Sequence, residues 1–471
     1  MQVMKRLAAD RVWSALVIAL SVGLAAALCA IVHWRYAIFR NGVDLGIFAQ
    51  VVGALGRGFS STAEGGVNHL LVHWSPIVAA AWPFVRVFGP VGLEYAQAIL
   101  AAAIVFPIWG LARARFSAPV AFAVTAVAAT YPILCANGVG DFHEMAFVPL
   151  LSATLVWALD ARRWTASVAV ALLLACTKED QFVVLAANGL LFAATARGDG
   201  AQRRVGLTIV GVAAAMSLLY FVILRPALTP HIPYDVSRFY VWSAGQLRGS
   251  GAPWGALLSR LEYVLMVLGP LAFLPCASRY GLFLLAGFAE ILASRQPVTL
   301  APGAHYSALL TGYALAAFVD GAARVAAHRA RLAGVLVIAA ATASLWVTIF
   351  ASPMEYWYYL YRRPNAHDAL LERTLRELSP RADVGAEDEI FAHLALDPNA
   401  SIDFARQRWF VYDRTHFSQR WQTVDEPSVR RAVQRGDYAV SSDVDGVVVL
   451  KRASVRGAEG AAPATGAPPP R

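Results

Sequence analysis

Five groups of ionisable residues interrupt an otherwise apolar sequence, and each is of a type that can bind phosphate, bind metal or move a proton. In NGVDLGIFAQ (41–50), Asp44 follows a long apolar run and precedes Leu45, Phe48, Val52 and Leu55 at helical spacing. Such a helix suits the membrane interface and would hold a carboxylate at headgroup depth, either for chemistry or as an N-cap. In NHLLVHWSP, His69 and His73 stand at i and i+4, a metal-compatible spacing without the glutamate of a zinc protease; beside Trp74 they also read as an interfacial anchor. In NGVGDFHEMAF, Asp141, His143 and Glu144 crowd the head of an apolar run, a density that suits a divalent metal or a basic phosphate partner, or simple helix capping. In ACTKEDQFVVL, Lys178, Glu179 and Asp180 separate two apolar runs with almost no loop, so the lysine can pair with the acids or hold a lipid phosphate. In TLAPGAHYSALLTGY, His305 and Tyr306 open a run behind a Pro-Gly turn, where histidine could touch a phosphate or sugar hydroxyl.

The elements that must position these groups are membrane helices. Of 471 residues, 58% are hydrophobic and 15% charged, and mean hydropathy is +0.52, outside soluble globular usage. The run 12–34 holds no charge over the roughly 20 residues a bilayer core requires. Its basic lead of Lys5, Arg6 and Arg11 and its length mark an uncleaved first span with a cytoplasmic N-terminus. Further runs fall at about 91–112, 117–134, 146–160, 165–177, 181–196, 205–225, 259–276, 280–294, 305–322 and 333–351. Ionisable residues beside such runs are costly and default to functional candidates.

Basic clusters set the orientation: Arg113 and Arg115; Arg162 and Arg163; Arg197, Arg203 and Arg204; Arg324, His328, Arg329 and Arg331. All four face the cytoplasm only if 35–112 crosses once. Residues 69–89, with Pro76, Pro83 and Arg86, therefore read as a juxtamembrane or re-entrant helix inside an external acidic loop, 35–90. The expectation is about eleven spans over 1–353, with the five polar groups outside. The net charge of +9 then reflects the cytoplasmic loops and calls for no nucleic acid. Cys29, Cys135, Cys176 and Cys276 show neither CxxC spacing nor a disulfide framework.

Beyond 353 the composition changes. AHDALLERTLREL is an amphipathic helix capped by Asn365, RWFVYD alternates like a strand, and DYAVSSDVDGVVVLKR reads as a hairpin turning at Asp445-Gly446. A small external α/β domain spans 354–453, and the Pro/Ala/Gly-rich residues 454–471 should be disordered.

The ordered stretches VDLGIFAQ, HWSP, DFHEMAFVPLL, TKEDQFVVL and GAHYSALLTGY resemble an uncharacterised family of prokaryotic multi-spanning proteins, a domain of unknown function similar to the GT-C glycosyltransferases. The resemblance covers roughly 12–350. It implies a membrane-embedded transferase using a polyprenyl-phosphate sugar donor at the external face of the cell (inner) membrane. It makes Asp44 the catalytic carboxylate and 69–89 a juxtamembrane helix. It places Asp141 and Glu144 in a second acidic loop, with His143 and a divalent metal, Mg or Mn. His69, His73, Lys178, Glu179, Asp180, His305 and Tyr306 are left to bind the donor phosphate. Ala49 departs from the family pattern, where an acid is common, as does the missing proline after the histidine of DFHEMAF. The partners expected are a lipid-linked sugar, membrane lipids and an acceptor the sequence does not specify. The rival functions are a polytopic transporter or lipid flippase, which would place charges near the bilayer centre, and a non-enzymatic envelope protein.

Overall fold

The computed structural model describes residues 2–228, 253–294, 296–350, 362–378, 383–404, 407–416 and 425–453. The end of the membrane part at 353 and the tail expected after 453 lie outside them.

Each of the eleven apolar runs carries a helix, though not eleven uniform spans. Among the described residues, Arg11–Ala37, Val91–Arg113, Gly200–Leu228 and His305–Phe350 are long and apolar enough to cross a membrane, and Ala118–Ala129 with Pro132–Val139 makes a fifth, bent by 52°. The others are shorter: Val148–Asp160, Trp164–Ala175, Asp180–Ala194, Pro253–Leu268 and Leu284–Ala293. Irregular backbone carrying polar residues precedes three of the helices. Glu144–Phe147 and His305–Ser307 are single 3-10 turns, and Lys178 and Glu179 sit in a tight turn.

The helix Ala308–Phe350 breaks at Arg329 (φ −145°, ψ 70°). Thr311 donates to Asn137 and Thr348 to the carbonyl of Thr130, only seven residues away. An unbroken helix would hold Thr311 and Thr348 about 55 Å apart at 1.5 Å per residue, so the two legs double back at Arg329. Each leg is then roughly 31 Å long, matching the hydrocarbon thickness and the separate runs 305–322 and 333–351.

Residues 69–89 form two 3-10 turns, His69–Leu71 and Pro76–Ala81, followed by the short helix Trp82–Phe88. The Asp44 helix, Val43–Gly53, does not lie on lipid as its pattern suggested. Leu45, Ala49, Val51 and Val52 are fully buried, and of the four apolar residues at helical spacing only Leu55, just beyond the helix, is exposed. Gly42, not Asp44, is its N-cap residue, and no side chain caps it.

One side of this helix packs on Val78, Val85, Leu93 and Phe142 of the membrane part, and the other meets the C-terminal domain. Its sheet runs β1-β2-β4-β3, with β1 Val384–Ala386, β2 Trp409–Asp413, β3 Tyr438–Val444 and β4 Val447–Arg452. β1 and β2 are parallel (Val384 opposite Trp409), connected through the helix Asp388–Leu394; the other pairs are antiparallel. Asp445 and Gly446 both take positive φ (52° and 85°) in the β3–β4 turn, as a two-residue hairpin requires. Asn365 caps Ala366–Leu378 by accepting from the amides of His367 and Asp368. Strand alternation sends Trp409, Val411, Val447 and Val449 to a core with Leu371, Leu375 and Phe391, and Phe410, Val448 and Leu450 to a second layer with Val429 and Tyr438.

The domain clasps the Asp44 helix from outside. The Phe391 ring fills the space beside Gly46, and His393 stacks between Tyr36 and Phe39 at 3.9 Å from each. Gln50 Nε2 donates to the Ala400 carbonyl (3.0 Å), and Trp34 Nε1 to the Arg362 carbonyl (2.6 Å). A Gly46→Ala substitution would drive a methyl into Phe391. We expect a loss of about 1–3 kcal/mol, typical of overpacking, read as a lower melting temperature in detergent and faster proteolytic release of the C-terminal domain.

Candidate functional site

Six stretches bring polar side chains to one end of the bundle, beneath the C-terminal domain. Arg35 ends the first helix, Asp44 opens the Val43–Gly53 helix, and Glu94 lies in the first turn of Val91–Ala103. Asp141, His143 and Glu144 occupy the break before Val148, Lys178 and Glu179 the turn before Asp180, and His305 and Tyr306 the turn before Ala308. Of these side chains, Asp44, Asp141 and His305 line a cavity of about 310 Å³, together with Arg40, Asn41 and Glu389.

At its edge, Asp44, His143 and His305 present one donor atom each, all within 4.8 Å of one another. The His143 and His305 rings stack with centroids 3.6 Å apart and planes 7° from parallel. His143 Nδ1 lies 2.9 Å from a Glu144 carboxylate oxygen, within charge contact but without hydrogen-bond alignment. His305 Nε2 is buried without a hydrogen-bond partner. One carboxylate oxygen and two neutral imidazoles suit zinc or manganese better than magnesium, which prefers oxygen donors. Burial holds the His143 imidazolium well below its ordinary pKa, so the ring is neutral, the form that ligates. The metal-ligand group expected from sequence was Asp141, His143 and Glu144. Of these only His143 belongs to the observed trio, because Asp141 and Glu144 are committed elsewhere.

Glu144 is fully buried, with Lys178 Nζ at 3.4 Å on its other side; Lys178 also lies 3.5 Å from Asp180 and 5.5 Å above the Tyr306 ring. Burial opposes the Lys178 charge, but Asp180, Glu144 and Glu179 outweigh it and keep the ammonium protonated. Asp141 accepts from Arg35 (2.9 Å) and Asn41 (3.3 Å), both of which also reach Glu94.

His69 and His73 do not form a shared pair. Their turn is 3-10, and each imidazole takes its own acid: His69 with Glu64 at 2.9 Å, and His73 with Glu179 at 2.8 Å. Glu179 also accepts from the Trp74 amide, so it ties the 69–89 segment to the bundle. The Asp44 side chain makes no hydrogen bond among the described residues. Burial, reinforced by Asp141 and Glu144, pushes its carboxyl pKa up, toward the range in which a carboxylate serves as a base near neutrality.

Sequence reasoning missed Arg35, Arg40, Asn41, Glu94 and Glu389. Glu94 carried the signal, as a lone carboxylate inside the apolar run 91–112. Glu389 carried none, because only docking of the C-terminal domain brings it against Arg40 (3.1 Å) and into the cavity wall.

This is a multi-spanning membrane protein with a buried acid, histidine and lysine site covered by a small α/β domain. A family described as predicted membrane protein (DUF2079) matches residues 35–449, and the chain belongs to it. ArnT from Cupriavidus metallidurans bound to undecaprenyl phosphate is similar in structure, with a TM-score of 0.54 at 14% identity over 92% of this chain and 98% of that one. Its apo state gives 0.53 at 13% identity, over 94% and 98%. These likenesses show a shared GT-C fold. The Archaeoglobus fulgidus oligosaccharyltransferase in its apo form scores 0.41 at 11% identity, over 81% of this chain and 64% of that one. No curated protein matches the chain.

Removing Arg35 would leave Glu94 and Asp141 buried without their cation. We expect Arg35→Met to cost about 3–5 kcal/mol in thermal unfolding, with much of it restored in Arg35→Met/Glu94→Gln.

Proposed function

We propose that this protein is a glycosyltransferase that takes a sugar from a polyprenyl-phosphate donor and transfers it at the external face of the cell membrane. The observation that carries this reading is the cavity beside Asp44, His143 and His305, set at one end of the bundle in a GT-C fold. The ArnT structure similar to it holds undecaprenyl phosphate. A transporter would instead place its charged groups near the midplane.

The chemistry is a single displacement. The Asp44 carboxylate accepts the proton of an acceptor hydroxyl as that oxygen bonds to the anomeric carbon. The bond from that carbon to the phosphate oxygen breaks, and the lipid phosphate leaves with the electron pair, so the anomeric centre inverts. Lys178 and Arg40 offset the charge on the leaving phosphate. His143 and His305, with Asp44, would hold a divalent metal, whose contribution when bound is to neutralise that phosphate. Glu144 lies against both His143 and Lys178 and offsets the lysine charge, and the Tyr306 ring supports Lys178.

Radiolabelled polyprenyl-phosphate sugars presented to membranes with wild-type or Asp44→Asn protein, matched for folded protein, test this. We expect incorporation to fall by about 100-fold or more in the variant, and EDTA to suppress the wild type, with zinc or manganese restoring it better than magnesium. Turnover by Asp44→Asn equal to wild type, or no consumption of any donor in a broad panel, rejects the reading.

A further inference from the structure

A second polar cavity, of about 300 Å³, lies at the other end of the bundle; it includes Arg197, Gln202, Arg279 and Arg324, with Leu191 and Phe283 among its apolar walls. Among the described residues, no acidic side chain lines it. Two elements fix its place. His305 and Arg324 stand nineteen residues apart on one helical leg, and Lys178 and Arg197 are equally separated across Asp180–Ala194, about 28 Å in each case.

We propose that this pocket binds the phosphodiester headgroup of an anionic phospholipid. The carboxylates nearby are already shared. Arg115 holds Asp160 through two bonds (2.9 and 2.6 Å) and reaches Asp320 at 3.0 Å. Arg279 adds one nitrogen to Asp160 (3.0 Å), and Arg324 one nitrogen to Asp320 (3.0 Å). Both side chains remain about half exposed. Arg197 forms no ion pair or hydrogen bond among the described residues. Four guanidiniums therefore face two carboxylates, a surplus of two positive charges with unused N–H donors turned to the cavity. Planar guanidinium forks suit phosphate oxygens.

The walls argue for a lipid over a free anion. Leu282 is 41% exposed and the neighbouring Leu190 53%, so the mouth opens beside apolar surface that accepts acyl chains. Basic pockets between helix ends on the cytoplasmic side are suited to anionic headgroups, and the positive-inside pattern puts Arg197 and Arg324 on that side. Arg197 also holds a left-handed backbone (φ 38°) ahead of Gly198 (φ 92°). This conformation is uncommon for a residue with a β-carbon.

The proposal is independent of the chemistry at Asp44. The full-length protein in neutral detergent is titrated with short-chain phosphatidylglycerol, with phosphatidylcholine of the same chains, and with inorganic phosphate, reading the thermal midpoint. We expect a saturable rise with phosphatidylglycerol alone, and a half-saturating concentration raised at least tenfold in Arg197→Gln, which breaks no ion pair. Arg430→Gln, on the C-terminal domain, should respond like wild type. An equal response to phosphatidylcholine, or an unchanged titration in Arg197→Gln, overturns the proposal. An equal loss in Arg430→Gln reduces it to general surface charge and also overturns it. Stabilisation by inorganic phosphate at the same concentration would make this a free-anion site and reject the lipid.

Discussion

A charge inside an apolar bundle has no water to neutralise it, so it must meet a countercharge built into the fold. Most of the architecture follows from satisfying that condition twice, once at each end. Glu94, Glu144, Lys178 and His305 stand at one end of their segments, and Arg113, Asp160, Arg197 and Arg324 at the other. Separations of 16–19 residues correspond to about 24–28 Å along a helix, nearly the hydrocarbon thickness. The helices thus act as spacers between two polar layers, and the apolar core between them carries little besides packing.

The two layers differ in how completely they are neutralised. Around Arg35, Glu94, Asp141, Glu144 and Lys178 each charge has partners, so those groups serve as scaffold. The Asp44 side chain has no hydrogen bond among the described residues, and His305 keeps a buried ring nitrogen without a hydrogen-bond partner; both line the cavity. A ligand in the cavity reaches these two, whereas Glu94 and Glu144, which also keep carboxylate oxygens without hydrogen bonds, are fully buried and do not line it, so the chemistry is assigned to Asp44 and His305.

Much of the fold was legible because membrane helices and hairpins write their signals locally. Apolar runs of span length, the Asn365 cap and the Asp445-Gly446 turn each depend on a few adjacent residues, and each appears in the structure. β1 was not legible, since Val384–Ala386 is too short to alternate and exists through its partner β2. The Asp44 helix was misread for a related reason. Its apolar face fits either lipid or protein, and the residues that bury it come from distant segments: Val78, Val85, Leu93 and Phe142 in the membrane part, and Ala392 and Ala395 some 340 positions away in the chain. Within the site, the five polar stretches converge, but their pairing did not follow from spacing. His69 and His73, four apart, serve different acids, whereas Asp44, His143 and His305 come together from three distant segments. Contacts of that kind are set by tertiary packing, which no local pattern encodes.

The clasp on the Val43–Gly53 helix has one more consequence. Gly46 and Gln50 are held by Phe391 and Ala400, while Leu45 and Phe48 pack toward the bundle and Glu389 closes the cavity wall. The Asp44 carboxylate is thus mounted on a part wedged between two bodies, and its position is defined by both. The small domain is consequently not an appendage that could be traded for another. Bundle and cover have to vary in concert, because a change in the fit of either one re-aims the same carboxylate.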